Sequence, residues 1–356
     1  MVDDRPLVTI LGGYGSIGRL VTEHLARTGV CRLVVAGRDL GKATVLAGEI
    51  GDGAAALAID VENAPVQTQP LGRVVVNATG PSWRTSLPAA RLAVAAGADF
   101  VDLGGYDLLH DGLDASVVGS SRVIVSAGWM PGLSEVLCRR VVEAGRSRLD
   151  TLDRVDVFCG ARDRWSLSSA GDMVWHLLER SGSGWYQDGI WKSAAPWRAL
   201  RRVNLDDAGR QWLLAVPNPQ AVKLSSELGA TRLATWLGLI GRRTFFAILR
   251  ARAIGRRDPE QAAAGIAEAI AAEAGTTPVG FCEVHVSGPR GRCRGRITTH
   301  DNLRLTAIAA AESALGLLDE KRRPPPGVRY MGDSFNPSDF LARMAHAGIY
   351  HEFRDA

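Results

Sequence analysis

Gly13-Tyr14-Gly15-Ser16-Ile17-Gly18 lies between an apolar, β-branched run, Leu7 to Leu11, and a helix-like stretch that reaches Gly29. At that spacing each glycine has a mechanical task. Gly13 permits a tight strand-to-helix turn, Gly15 lets a pyrophosphate approach backbone that has no Cβ, and Gly18 lets the helix pack close to its strand. The free N–H groups at the helix start, those of Ser16 and Ile17 among them, meet the anion together with the positive end of the helix dipole. Such a surface holds a dinucleotide.

The end of the next apolar run, Arg32 to Ala36, selects which dinucleotide. A site for NAD places an acidic residue there to accept hydrogen bonds from the ribose 2′-OH. This chain has Gly37, then Arg38, with Lys42 one helical turn on. A planar guanidinium grips a phosphate with two parallel donors, so the residues predict NADP(H). Asp39 lies past the turn, placed as a helix N-cap.

These residues need a scaffold of strands and crossover helices. Ala55 to Ile59, Arg73 to Val76, Phe100 to Leu103 and Val123 to Ser126 read as further strands, and Leu87 to Ala96 as a helix between the fourth and fifth. The third strand closes at Asp60-Val61, at the place of an adenine ring. The fourth ends in Asn77-Ala78-Thr79-Gly80-Pro81, at the edge where doubly wound sheets bind ligands. The expected fold is α/β: a Rossmann-type doubly wound parallel sheet over residues 1–130, then a second α+β domain with a mainly antiparallel sheet over 131–302. The hairpins expected in that second domain turn at Asp188-Gly189 and around Gly288 to Gly291. Residues 303–356 read as carboxy-terminal helices returning to the Rossmann domain.

With 356 residues, two domains are expected, and 46% apolar against 22% charged residues excludes a disordered chain. The net charge of +4 lacks the clustered footprint that nucleic acid demands. Five widely spaced cysteines without a CxxC pair predict reduced core thiols, and neither they nor the histidines show metal-ligand spacing. The acidic start, leading directly into a strand, predicts a cytoplasmic protein, and no segment reads as transmembrane. The stretch Leu228 to Arg257 holds seven arginines and no acid among leucines and aromatics. It reads as a helix pair with a solvated basic face, or as a docking surface for an acidic partner such as a carrier protein or an anionic membrane.

Gly12 to Gly15, Val35 to Leu40, Asn77 to Pro81, Gly97 to Leu103 and Ala127 to Leu133 together resemble the saccharopine dehydrogenase family in its broad, NADP-binding sense. The resemblance is good over residues 5–140, weaker over 300–350 and poor between. It implies hydride chemistry, most often at a carbon–nitrogen bond, in a cleft between two domains of what is expected to be a homodimer. By position, Gly13, Tyr14, Gly15, Ser16, Ile17, Arg38 and Lys42 would hold the phosphate-bearing parts of the cofactor. Asp60 and Val61 would flank adenine, and Asn77, Ala78 and Gly80 would lie near the nicotinamide half. Relatives acting on amino acids often carry an acid near the Pro-Gly turn or after the fifth strand. Trp129-Met130 and Gly104-Gly105-Tyr106 stand there instead, which suits a small aromatic or weakly polar substrate.

For the proton that accompanies the hydride, Tyr106 is the first candidate donor, with a rim tyrosine as its plainer role. His176 is the second, or a structural histidine. Asp172 and Trp175 are candidates for substrate contact, Asp172 equally a helix cap. Trp129 would wall the substrate space or fill core. The expected reaction is NADPH-dependent reduction of an imine. The alternatives are trans-acting reduction of an enoyl C=C bond on a carrier-bound substrate, and a non-catalytic NADP-binding sensor.

Overall fold

The computed structural model describes residues 3–64, 70–104, 106–179, 182–205, 209–239, 241–274 and 278–355. The chain divides into two compact units, 1–132 with 303–336, and 133–302 with 337–356.

The first unit opens with β1 (Leu7–Leu11), α1 (Ser16–Thr28), β2 (Arg32–Gly37), α2 (Leu40–Ile50), β3 (Ala55–Ala58), β4 (Val74–Asn77), α3 (Ser82–Ala95), β5 (Asp99–Asp102), α4 (Tyr106–Gly112), α5 (Ala115–Val118) and β6 (Arg122–Val125). The apolar runs make strands buried on both faces, as a parallel sheet requires: every residue of β4 and β5 is buried. Gly29 ends α1 in the left-handed conformation, φ 64°. The helix α3 begins five residues before the alanine-rich stretch, because its first turns bury Ser82, Thr85 and Ser86, polar residues that an apolar pattern does not register.

The second unit follows with α6 (Leu133–Leu149), β7 (Leu152–Arg162), α7 (Leu167–Glu179), β8 (Gly184–Gln187), β9 (Ile190–Ser193), α8 (Pro196–Ala199), β10 (Leu200–Leu205), β11 (Gly209–Val216), α9 (Pro219–Leu228), β12 (Ala230–Leu239), α10 (Arg242–Ile254), α11 (Pro259–Ala274), β13 (Val279–Gly288) and β14 (Gly291–Thr299). The chain then supplies α12 (Asn302–Leu318) and β15 (Gly327–Tyr330) to the first unit, and α13 (Pro337–His346) and β16 (His351–Asp355) to the second.

In the first unit seven parallel strands take the order β15-β6-β5-β4-β1-β2-β3. The order reverses between β1 and β4, the switch point at which such sheets bind ligands. Phe100, Val75, Val123 and the alanines of α3 form the larger core cluster, and Val35 packs with Ala43 and Leu46 of α2. The returning segment is anchored by His24 Nε2 against Glu312 Oε1 at 3.0 Å and by Arg122 Nε donating to Pro324 O at 2.6 Å.

The second sheet runs β10-β11-β12-β7-β13-β14-β16, with β8 paired to β12 and β9 to β8. It is antiparallel except where β12 pairs with β7. Asp188 and Gly189 turn the β8–β9 hairpin with φ of 50° and 74°. Two expectations are corrected here. Residues 337–356 do not return to the Rossmann unit, because β16 pairs with β14 and Arg296 holds Glu352 at 3.0 Å. Leu228 to Arg257 is not a helix pair. Its first half is the interior strand β12, whose Leu233, Ala234 and Trp236 are buried by neighbouring strands on both sides.

Candidate cofactor site

The loop after β1 is shaped by contacts that leave no room for side chains. A Cβ on Gly18 would stand 2.1 Å from Gly12 O, and one on Gly12, whose φ is +71°, would stand 2.9 Å from Ala78 O. On Gly13 it would meet Ile10 O at 2.9 Å. Gly15 differs: its nearest neighbour would be Gly12 O at 3.1 Å, with nothing else within reach. Backbone is thus open at the one glycine that a pyrophosphate must approach. Gly15 also starts α1 without a side-chain cap, and the first turn holds no acid, so the leading N–H groups remain for an anion.

At the end of β2 the aromatic ring of Tyr14 occupies the place of a residue-37 side chain. A Cβ on Gly37 would lie 2.6 Å from Tyr14 Cε1, and the Tyr14 hydroxyl accepts the Asp39 N–H at 2.9 Å. Tyr14 thus leaves no room for an acidic side chain at position 37. Arg38 is exposed and makes no hydrogen bond or ion pair among the described residues. Lys42 is partly engaged, its Nζ 3.6 Å from Asp39 Oδ2. Asp39 caps α2 by accepting the Lys42 N–H at 3.0 Å, and that N–H is the main cause holding its carboxyl below the usual range. The open backbone at Gly15, the uncapped α1 and the unpaired Arg38 fit a pyrophosphate and a 2′-phosphate.

Beyond β3, Asp60 accepts from Asn63 Nδ2 at 3.0 Å and from the Glu62 N–H at 3.2 Å. These bonds, with Arg38 a smaller contributor, keep its carboxylate ionised below the usual range. Val61 is buried in the core cluster, so only its backbone is available at the surface.

The loop after β4 is set by a buried network whose hub, Asp102, sequence reasoning passed over as a site residue. Asp102 is fully buried and accepts from Asn77 Nδ2 at 2.6 Å, Ser86 Oγ at 2.9 Å and the Gly104 N–H at 3.0 Å. Asn77, itself buried, turns its carbonyl oxygen to the Thr79 N–H at 3.2 Å and hydroxyl at 2.5 Å. The network fixes the Ala78–Thr79 peptide against Gly12, and the Ala78 N–H donates to Leu11 O at 2.9 Å. Two loops are locked together at the switch point. The signal available in sequence was an acid at the carboxy end of a short buried strand.

After β6, a backbone bridge joins Gly128 to Gly132, where φ is +126° and a Cβ would stand 2.1 Å from Ser126 O. This lasso presents Trp129, half-buried. Tyr106 begins α4; its side chain lies outside the described residues. Asp172, Trp175 and His176 share α7 in the second unit, all half-buried, with the Trp175 and His176 rings edge to face at 5.1 Å. The Ser166 hydroxyl accepts the Ser169 N–H at 3.0 Å at the start of α7; Asp172 sits in the second turn. The five cysteines are buried and unbridged, burial pushing the Cys31 thiol up to about 11. Among the described residues no cluster could hold a metal, and no helix is long and apolar enough to cross a membrane.

Residues 8–117 match the family model of the saccharopine dehydrogenase NADP binding domain. That match lies within the first unit. Its cofactor is NADP(H), in keeping with the cradle at Gly15 and the free Arg38. The fold of this NADP-binding chain is similar over its whole length to that of saccharopine dehydrogenase (L-Glu forming) from Saccharomyces cerevisiae, with a TM-score of 0.71, 12% identity, and coverage of 99% of this chain and 100% of the yeast chain. Two Mycobacterium tuberculosis proteins, from strains H37Rv and CDC 1551 and designated trans-acting enoyl reductases, are each 33% identical over 104 residues. That match covers 28% of this chain and spans a quarter of the length of those relatives, 25% of each.

Proposed function

We propose that this chain is an NADPH-dependent oxidoreductase that delivers hydride to the C=N bond of a small, aromatic or weakly polar metabolite. The observation that carries the reading is the cofactor cradle, with open backbone at Gly15 and unpaired Arg38, on a fold similar throughout to saccharopine dehydrogenase. Arg38 would grip the 2′-phosphate, the N–H groups of Ser16 and Ile17 the pyrophosphate, and Asn77, Ala78 and Gly80 would flank the nicotinamide half. When bound, NADPH supplies the hydride; the protein orients and shields it. A protonated imine needs only a weak acid beside its nitrogen, the role we assign to Tyr106, with His176 second. Trp129, Asp172 and Trp175 are assigned to the substrate.

A second reading, reduction of an enoyl C=C bond on a substrate carried by an acidic protein, is favoured by the designation of the mycobacterial relatives. The two separate in one experiment: loss of NADPH absorbance with cyclic imines, ketones and carrier-bound enoyl thioesters, alongside calorimetry of NADPH binding. Turnover of imines alone supports the first reading, and turnover of enoyl thioesters alone replaces it with the second. Tight NADPH binding with no turnover of any class would leave a sensor and overturn both. In the same assay Tyr106→Phe should lower kcat and leave the NADPH Kd unchanged.

A further inference from the structure

The helix α10 carries one face that nothing in the second unit covers. Thr244 and Ala251 are buried, and Ala247 and Ile248 pack with residues of α7 and α11. On the opposite side Phe246 is 60% exposed, Leu249 49% and Phe245 42%. At about 3.6 residues per turn, Phe245, Leu249 and Phe246 fall in one outward stripe, headed at the amino end of the helix by exposed Arg242. Arg252 flanks it beside Phe245, and Arg243 and Arg250 flank it beside Phe246. All three arginines are exposed, and the helix contains no acidic residue. The neighbouring carboxylate of Glu273 is occupied at the helix start, accepting the Arg243 N–H at 2.5 Å and the Thr244 hydroxyl at 2.5 Å.

We infer that this face of α10 lies in the plane of an anionic phospholipid surface, its apolar stripe in the headgroup boundary and its arginine flanks on lipid phosphates. An in-plane helix needs both features at once, an apolar stripe to insert and cations that snorkel on either side. Two further occupants answer the pattern less well. A second copy seated helix to helix would bring arginines against arginines. An acidic protein would answer a patch, whereas here arginines stand on both flanks of an apolar crest, Arg252 on one and Arg243 and Arg250 on the other, which a uniformly anionic plane satisfies on both sides. Three apolar side chains make the association shallow and reversible. The inference does not depend on the reaction catalysed.

The test uses the full chain and sedimentation with vesicles of phosphatidylcholine, with and without phosphatidylglycerol. Binding is expected only to the anionic vesicles and should weaken as salt is raised. Phe246→Glu with Leu249→Glu, and separately Arg250→Glu with Arg252→Glu, should each weaken it by about 10-fold or more. NADPH affinity, unchanged in both variants, reports that the protein is folded. No binding to anionic vesicles, or equal binding by the variants, overturns the inference. So does saturable binding of a purified acyl carrier protein, or concentration-dependent self-association, that both variants abolish while vesicles bind nothing.

Discussion

The two sheets of this protein place their chemistry differently. In the first unit every strand runs the same way, so the last residues of β1, β2, β4 and β5 converge on one edge, and the site is built from strand ends and backbone. In the second unit neighbouring strands mostly oppose one another, so strand ends alternate between the edges, and the buried Asp156 sits mid-strand. Asp156 in β7 accepts from Arg154 Nε at 2.6 Å, from Trp236 Nε1 at 2.8 Å and from Arg201 at 3.4 Å, groups on three strands of one sheet face. Asp102 shapes a loop; Asp156 ties a sheet together. What each of these two acids does follows from where its strand places it: at the end where parallel strands converge it shapes a loop, and in mid-sheet it clamps strands.

The severest test of that contrast is at Gly18. A valine there would drive carbon into the Gly12 carbonyl, and the variant should lose NADPH binding and more than about 3 kcal/mol of stability, read by calorimetry and thermal unfolding. Next come the two acids, compared directly. Asp102→Ala and Asp156→Ala should each cost about 3 kcal/mol, the first leaving the buried donors of Asn77 and Ser86 unmet and the second the buried Trp236 N–H. Only the Asp102 variant should also weaken NADPH binding in protein that remains folded. An equal loss of affinity in the Asp156 variant would break the contrast. Arg38→Ala should weaken NADPH by about 1.5–3 kcal/mol, roughly 10- to 150-fold, and barely alter NADH; equal losses for both coenzymes would remove Arg38 from the 2′-phosphate.

The smallest effect concerns β16, which belongs to the second unit. Burial, then the charge of Arg140, lowers the pKa of His351 below its ordinary value. The unfolded chain therefore takes up that proton first, so the His351 contribution to stability is retained above about pH 6.5 and lost as pH falls below it. The drop in Tm between neutral and mildly acid pH should be smaller in His351→Phe than in the unaltered chain; an equal drop would acquit this residue.

The legibility of the sequence follows the same division. Strand ends, the glycine turn, Arg38 and the Asp39 cap could be read because each is a local event: a backbone that tolerates no Cβ, or a side chain one turn from its partner. The order of elements in the first unit followed from them. The interior strand β12 was misread as helix, because burial on both sides of the sheet removes the alternation that marks a half-exposed strand. The strand β16 was missed because His351 to Asp355 is short and polar, and its place depends on β14, more than fifty residues earlier in the chain. The network around Asp102 joins residues 77, 86, 102 and 104, a proximity that only the folded sheet creates.

The interruption of the first unit by the second bears on how this protein emerges from the ribosome. Until the segment after Leu303 is made, β6 has no partner on its outer edge and His24 lacks the glutamate it meets in the finished molecule. The nucleotide-binding half begins synthesis first and is completed only after most of the other half exists. Fragments that stop short of that segment should be poor substitutes for the whole chain when the coenzyme site is studied in isolation.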